Sequence, residues 1–504
     1  MCFNVLEDMS MKRLVKKGIS FSISETWLAI FCVLLLVIML FPILRLAFYA
    51  LPWYDDYGYA VYVKRFIAQD GVLKGAFSGA LYVVRTWWYC WQGTFSSIFM
   101  MSLMPEAFGE GLYPAGIIGI ILFFVTASLL FVKVVLGTVL KAEKAIQISV
   151  AVLITLTMVE LIYTAQQGIY WYNAAVHYTF MHGCLFLLLA ATIKLIYAQS
   201  KISMFGFALI VAVFAFVCSG SNFVTALQGG LVLCLLMVLG FVFRKKSTWF
   251  LIPSAFIYGL GFYMNVSAPG NAVRGAYYQG FGAVESVILS FRSGVLHFWE
   301  FTGIITFIIL GVYVLMIWNT IRQLRFAFPL PLAVSIVSFG LYCTGFTSSY
   351  YGMGTEGLAR TWVVVKFTLQ LLLFVNVTYW LGWGMQQFRK KNREIPFVKQ
   401  WVWLYIYAGC AMVLWLVFNP NQAGSCASYG AYYYVHTGEA YNIQQEYRSR
   451  VETIKNSEQD IVEVEPYVWK PWFLYKGELS TDMTAEPNMS MADWFDKKGI
   501  YVKE

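Results

Sequence analysis

Two adjacent carboxylates, Asp55 and Asp56, stand a few residues beyond a long apolar run, in the stretch PWYDDYGYA at 52–60. Carboxylates that close to a hydrocarbon layer are costly to desolvate and repel each other. One of the pair is thereby pushed toward neutrality and becomes a better base, while the other stays ionised. A plainer use competes, because Asp is a favoured N-cap and would serve a helix opening here. Arginines recur in the same class of segment: Arg274 in NVSAPGNAVR, Arg360 in GMGTEGLAR, and Arg45 near the end of the apolar run. Guanidinium groups offer planar, bidentate donors to phosphate oxygens, although loop solvation or ion pairing explains them equally well. Asn271 belongs to a tight Pro-Gly-Asn turn that would aim Arg274, and Glu356 sits among three glycines that permit close backbone approach. In QQGIYWYNAAVHY, Tyr170 and Trp171 could stack on sugar faces while Asn173 and His177 bond hydroxyls. Trp91 and Gln92 of WQGT could form a second such patch. Membrane-belt and turn roles account for the same residues. The chemistry these types could do together is transfer to a hydroxyl from a phosphorylated amphiphile.

The elements that must position them are membrane helices. Of the 504 residues, 59% are hydrophobic and 12% charged, and the mean hydropathy is +0.64, which places the chain among polytopic membrane proteins. The 18 Trp and 33 Tyr suit the two headgroup layers. Nine scattered cysteines without a Cys-x-x-Cys pair, and four histidines without ligand spacing, argue against a disulfide framework and a metal site. No cofactor is expected, and nucleic acid is not among the expected partners.

Apolar windows near 27–48, 114–137, 146–163, 178–198, 203–217, 224–243, 248–264, 298–318, 328–346, 361–381 and 400–418 predict about eleven transmembrane helices, the first uncleaved. Alternate connections carry Lys12, Arg13, Lys16 and Lys17; Lys141 and Lys144; Lys201; Arg244 to Lys246; Arg322 and Arg325; and RKKNR at 389–393. By the positive-inside rule the N-terminus is cytoplasmic and the C-terminus lies outside. The outer segments then hold the unusual sequence. The first, 49–113, shows Tyr59, Tyr62, Val63, Phe66 and Ile67 at helical spacing opposite Lys64 and Arg65, the pattern of an interfacial helix. A second such piece runs from about Phe77 into RTWWYCWQG, and a third, from Val284 to Val295, precedes the eighth span. The chain divides into a membrane domain, 1–418, and a small extracytoplasmic tail, 419–504. That tail carries thirteen acidic and eight basic residues, and VEVEPYVWKPWFLY within it suggests strand or extended structure.

An aspartate motif just after the first span, a long first outer loop with two interfacial helices, about eleven spans and an outer tail resemble the GT-C class of membrane glycosyltransferases. More closely, DDYGY, TFSSIFMMSLMP, YWYNAAVHYTF, GSNFVTAL, NVSAPGNAVR and GMGTEGLAR, in this order, resemble an uncharacterised family of bacterial polytopic membrane proteins grouped with those enzymes. The resemblance implies an inverting glycosyltransferase of the bacterial cytoplasmic membrane. It would move a sugar from a polyprenyl-phosphate donor to a cell-surface glycan or lipid-linked acceptor on the outer face. Asp55 or Asp56 would be the general base, and Arg274 and Arg360 would hold the phosphate leaving group. The Pro-Pro-Leu pattern of several arabinose and mannose transferases is absent, TWWYCWQGT standing in its place, which leaves the donor sugar open. Three other readings compete: a transporter or flippase of lipid-linked sugars, a polymerase of lipid-linked glycans on the same membrane face, and a non-catalytic assembly protein.

Overall fold

The computed structural model describes residues 22–503; the basic cluster Lys12 to Lys17 lies outside the described residues. Among these, nine helical segments are long and apolar enough to cross a membrane: Glu25–Ala47, Tyr113–Val139, Tyr172–Ile196, Lys201–Ser219, Phe223–Val242, Lys246–Val266, Ala283–Gln323, Pro331–Met353 and Ala359–Lys390. This is the pattern of a multi-pass membrane protein. The two remaining expected windows form shorter helices, Lys144–Glu160 and Val402–Phe418, of 17 residues each.

In chain order the helices used below are α1 (Glu25–Ala47), α2 (Asp55–Asp70), α3 (Val72–Cys90), α4 (Phe95–Ser102), α5 (Tyr113–Val134), α6 (Lys144–Glu160), α7 (Met181–Ile196), α8 (Lys201–Ser219), α9 (Phe223–Val242), α10 (Ile252–Val266), α11 (Pro269–Gly275), α12 (Ala283–Gln323), α13 (Pro331–Met353), α14 (Ala359–Lys390), α15 (Val402–Phe418), α16 (Ala427–His436), α17 (Glu439–Asn456) and α18 (Glu486–Trp494). The core between them is apolar and rich in stacked rings, such as Phe131 on Phe186 at 5.3 Å and Phe124 on Phe367 at 4.8 Å.

The connections gather at two ends of the bundle. At one end Ser247 donates to the Ile196 carbonyl at 2.7 Å, Arg322 to that of Ile395 at 2.8 Å, and Arg389 to that of Leu324 at 2.8 Å. Lys141, Arg244, Lys245, Arg322, Arg325 and Arg389 all belong to this basic end. At the other end meet the last turn of α1, the α2–α4 segment, residues 161–180, α11, the loop before α14 and the tail. The α2–α3 hairpin closes tightly because α3 is glycine-bearing on its inner face. A Cβ at Gly75 would lie 2.4 Å from the Phe66 carbonyl oxygen, and one at Gly79 would lie 2.8 Å from Val63 Cα.

Two elements differ from the sequence expectation, and a third adds to it. Residues 165–178, expected as an outer loop with belt aromatics, enter the bundle as wide helical turns, Gln166–Tyr170 and Val176–Phe180, around the short helix Tyr172–Ala175. Tyr170, Trp171, Tyr172 and Asn173 are all buried. Irregular backbone can sit inside a bundle only where its polar groups are met. Here Thr179 donates to the Gly168 carbonyl at 2.6 Å, and side chains from α2 and α5 receive the next N–H groups. The second difference is α12, which runs through the expected junction between surface helix and span and breaks instead at Gly303, whose φ of 64° and ψ of 174° favour glycine. The third is the tail. The expected extended stretch is there, as β1 (Ile461–Val464) paired in parallel with β2 (Gly499–Val502), and the helices around it were not foreseen, with α16 lying along α1 and α18 along α2.

Candidate functional site

The aspartate pair opens α2. Pro52 and Trp53 bring the chain out of α1, and Tyr54 turns it through a strained backbone with φ 44° and ψ −118°. Consecutive residues on a helix point about 100° apart, and that rotation separates the two carboxylates. Asp56 faces the protein and has no exposed surface. Its Oδ2 accepts from the Trp53 N–H at 2.9 Å and the Tyr113 hydroxyl at 2.8 Å, and its Oδ1 accepts from the Asn173 N–H at 2.9 Å. The Tyr113 oxygen in turn accepts from the Tyr172 N–H at 2.9 Å. Burial and the neighbouring Asp55 charge push Asp56 upward, while the three donors aimed at its oxygens favour the ionised form. Asp56 thus ties α2, α5 and the 171–173 segment together.

Asp55 faces a cavity of about 690 Å³. Its Oδ1 is buried and has no hydrogen-bond partner. Burial first, and then the nearby Glu486 charge, raise its pKa to about 7 against the opposing pull of Arg360. Glycine and tyrosine follow on the same helix face, so Gly58, Tyr59 and Tyr62 extend the wall.

The two arginines reach this cavity from different segments. Arg274, at the end of α11, donates from Nη1 to Gln92 Oε1 at 2.8 Å and lies 5.6 Å from the Trp91 ring centre. Two glycines fix that arrangement by backbone contact. A Cβ at Gly270 would meet the Trp91 N at 2.5 Å, and one at Gly93 would meet the Asn265 carbonyl oxygen at 2.0 Å. Arg360, in the first turn of α14, lies 5.5 Å from the Trp171 ring centre, and Lys476 of the tail approaches the same ring at 5.0 Å. Neither Arg274 nor Arg360 has a carboxylate within ion-pair distance among the described residues. Trp171, Asn173 and His177 line the cavity, and Trp171 Nε1, both side-chain polar atoms of Asn173 and His177 Nδ1 are buried without partners. Buried polar atoms are normally bonded. A group of them on one wall marks a place where a polar ligand would complete the bonding.

Three residues expected at the site are held elsewhere. Tyr170 is in the core, its hydroxyl donating to the Ile43 carbonyl at 3.1 Å and its ring stacked on Phe473, which leaves no ring face for a sugar. Asn271 does not line the aspartate cavity: its amide donates to the carbonyls of Asn265 at 2.8 Å and Val266 at 3.0 Å, and its oxygen accepts from the Gly93 N–H at 3.1 Å. It holds the WQG turn against α11. Glu356 turns toward α12, where its carboxylate accepts from Ser293 at 3.2 Å and pairs with His297 at 3.1 Å. Arg45, grouped with the two arginines by its sequence, also stays away from the cavity, donating to the Tyr49 hydroxyl just past the end of α1.

Sequence reasoning missed the fourth wall. Glu486, Met489, Ser490 and Asp493 of α18 line the cavity. Their helical spacing in EPNMSMADW was the available signal. Asp493 also pairs with Arg65 at 2.7 Å, and Lys64 donates to the Trp494 carbonyl at 2.7 Å, so the charged face of α2 serves to dock the tail. A second cavity, of about 630 Å³, adjoins the first and shares His177, Tyr178, Arg274 and Met353 with it. It continues between apolar side chains that include Phe223, Leu227, Phe262 and Val287.

No family model matches the chain, and neither a curated protein nor a solved structure matches it. The functional reading therefore rests on the site.

Proposed function

We propose that the chain is a membrane glycosyltransferase that moves a sugar from a polyprenyl-phosphate donor to a hydroxyl of a cell-surface glycan or lipid-linked acceptor. One observation carries the reading. A carboxylate with a buried, unpartnered oxygen and two guanidiniums without an ion-pair carboxylate among the described residues face a single cavity, which adjoins a second one whose wall is largely apolar. The isoprenoid chain occupies the second cavity, the phosphate lies between Arg274 and Arg360, and the sugar lies against Trp171, Asn173 and His177. Asp55 takes the proton of the acceptor hydroxyl as its oxygen attacks the anomeric carbon. The bond from that carbon to the phosphate oxygen breaks with inversion, and the electron pair leaves on the lipid phosphate. Guanidiniums fixed beforehand in a water-poor pocket stabilise this developing charge better than water does. Asp56 is a positioning residue, and the tail wall from Glu486 to Asp493 faces the acceptor.

In this reading the helices cross the bacterial cytoplasmic membrane eleven times, α6 and α15 included, with the basic end cytoplasmic and the cavity on the outer face. The test is transfer of labelled sugar from a synthetic polyprenyl-phosphate donor by the purified protein in proteoliposomes. Asp55→Asn is expected to lower the rate by about 10²-fold or more, the typical worth of a general base. Donor movement across the bilayer without glycoside formation, or an unchanged rate in the variant, overturns the proposal.

A further inference from the structure

The basic end holds a cavity of about 540 Å³ that the transfer chemistry does not use. Its walls come from the C-terminal half of α5, α12 and α14 and from the 324–328 loop, with Phe131, Leu136, Phe326, Phe374 and Val375 among the lining residues. Among the polar side chains of the wall, the Tyr313 and Thr378 hydroxyls bond each other, and Tyr379 donates to the Pro329 carbonyl. An apolar cavity of this kind does not hold water well, and an empty one destabilises the helices around it. Hydrocarbon is the occupant that suits it.

The mouth is cationic. Lys245 lines the cavity and places its ammonium 4.7 Å from the Tyr197 ring centre, and Lys141 approaches the same ring at 5.9 Å. Neither lysine has an ion-pair partner among the described residues. Glu143, the acid nearest to Lys141 in sequence, interacts with Glu25 of α1 instead. The backbone around this mouth is unusual as well. Lys141, Arg244, Phe328 and Leu330 all adopt positive φ, between 47° and 54°, and α5 ends in a wide turn, Val135–Val139, that forms part of the wall. Strained residues and wide helical turns persist where the surrounding structure holds them, and both are frequent at binding sites.

We propose that this cavity is a site for an anionic phospholipid of the surrounding bilayer, its acyl chain between α5, α12 and α14 and its phosphate between Lys141 and Lys245. The site lies at the opposite end of the bundle from Asp55 and is independent of the transferase reading. The experiment is native mass spectrometry of the full chain released from nanodiscs containing equal amounts of phosphatidylglycerol and phosphatidylcholine. Two lysines near one phosphate give an expected preference for phosphatidylglycerol on the order of tenfold. Lys141→Gln with Lys245→Gln should abolish the preference while lipid of both kinds still binds. Val375→Trp, which fills the cavity from a partly exposed position, should lose the bound lipid without a fall in melting temperature. If the double variant does not accumulate, Lys245→Gln alone is read in the same way. Equal retention of the two lipids by the wild type, an undiminished preference in the lysine variants, or full retention by Val375→Trp overturns the proposal.

Discussion

The two aspartates make opposite predictions when each is replaced by asparagine. Asp56 accepts three hydrogen bonds, two on one oxygen and one on the other, from groups that can only donate or whose acceptor side is already taken. An asparagine keeps one acceptor oxygen and turns an N–H toward the remaining donor. If the oxygen stays with Trp53 and Tyr113, the buried N–H of Asn173 is orphaned; if it turns the other way, two donors are. A bond to a charged group is worth about 1.5–3 kcal/mol, and an orphaned buried donor costs about 1–3 kcal/mol. Removing a buried charge works in the other direction, but the donors remain in place at a residue with no exposed surface, so their loss dominates. The net cost expected for Asp56→Asn is about 3–5 kcal/mol. Asp55→Asn gives up the help that the Asn173 side chain lends the ionised form but relieves a carboxyl that burial raises to about 7, so its stability should equal or exceed that of the wild type. Thermal melting of both variants in one detergent, followed by intrinsic fluorescence, decides the matter. Equal melting, or Asp55→Asn as the weaker variant, would refute the division of labour between the pair.

The pH dependence follows from Asp55, whose pKa of about 7 means that the base form gains population as pH rises through neutrality. Transfer should rise along that limb, and stability should move the other way. An acid with a raised folded pKa holds a proton that the unfolded chain releases, so its stabilising contribution is lost between about pH 4 and 7. Melting temperature and single-turnover rate measured across that range should show opposed slopes, both flattened in Asp55→Asn. Gly93→Ala tests how the WQG turn sets Arg274. The added carbon would stand 2.0 Å from a backbone oxygen and 2.6 Å from Ala268 Cβ, neither of which is the free end of a flexible chain. Donor affinity measured by titration should fall by about tenfold or more, and wild-type affinity would show that the turn does not aim the guanidinium.

How much was legible in the sequence depended on what kind of signal each residue sent. Apolar runs announce helices regardless of neighbours, and each expected window has a helix in it. The departures came where polar composition suggested solvent: 165–178 is rich in Gln, Tyr, Asn and His, yet its backbone is met by Asp56, Tyr113 and Thr179 and lies inside the bundle. Composition cannot show partners such as Asp56 and Tyr113, which are supplied from more than fifty residues away. The motifs around Trp91, Trp171, Arg274 and Arg360 do meet at one cavity, because glycine and proline fix where those segments turn. Membership of a motif says little about which way each side chain points. Asn271 and Glu356 share their segments with the two arginines and bond away from the cavity.

The aspartate pair shows the limit most clearly. Adjacent residues on a helix diverge by about 100°, so a doublet at a helix start presents one carboxylate to each of two environments, and the chain gives no local sign of which is which. The answer lies in Tyr113 and Asn173, distant positions that surround Asp56 with donors and leave Asp55 the open face. Burial and the Glu486 charge raise Asp55 to about 7 against the pull of Arg360, while Asp56 is itself raised by burial and by the Asp55 charge. Asp55 is thereby tuned toward neutral pH by the cavity wall, in which Glu486 is contributed by the tail. In the proposed reaction the second carboxylate contributes position: it ties α2, α5 and the 171–173 segment together and so orients the wall that presents the first.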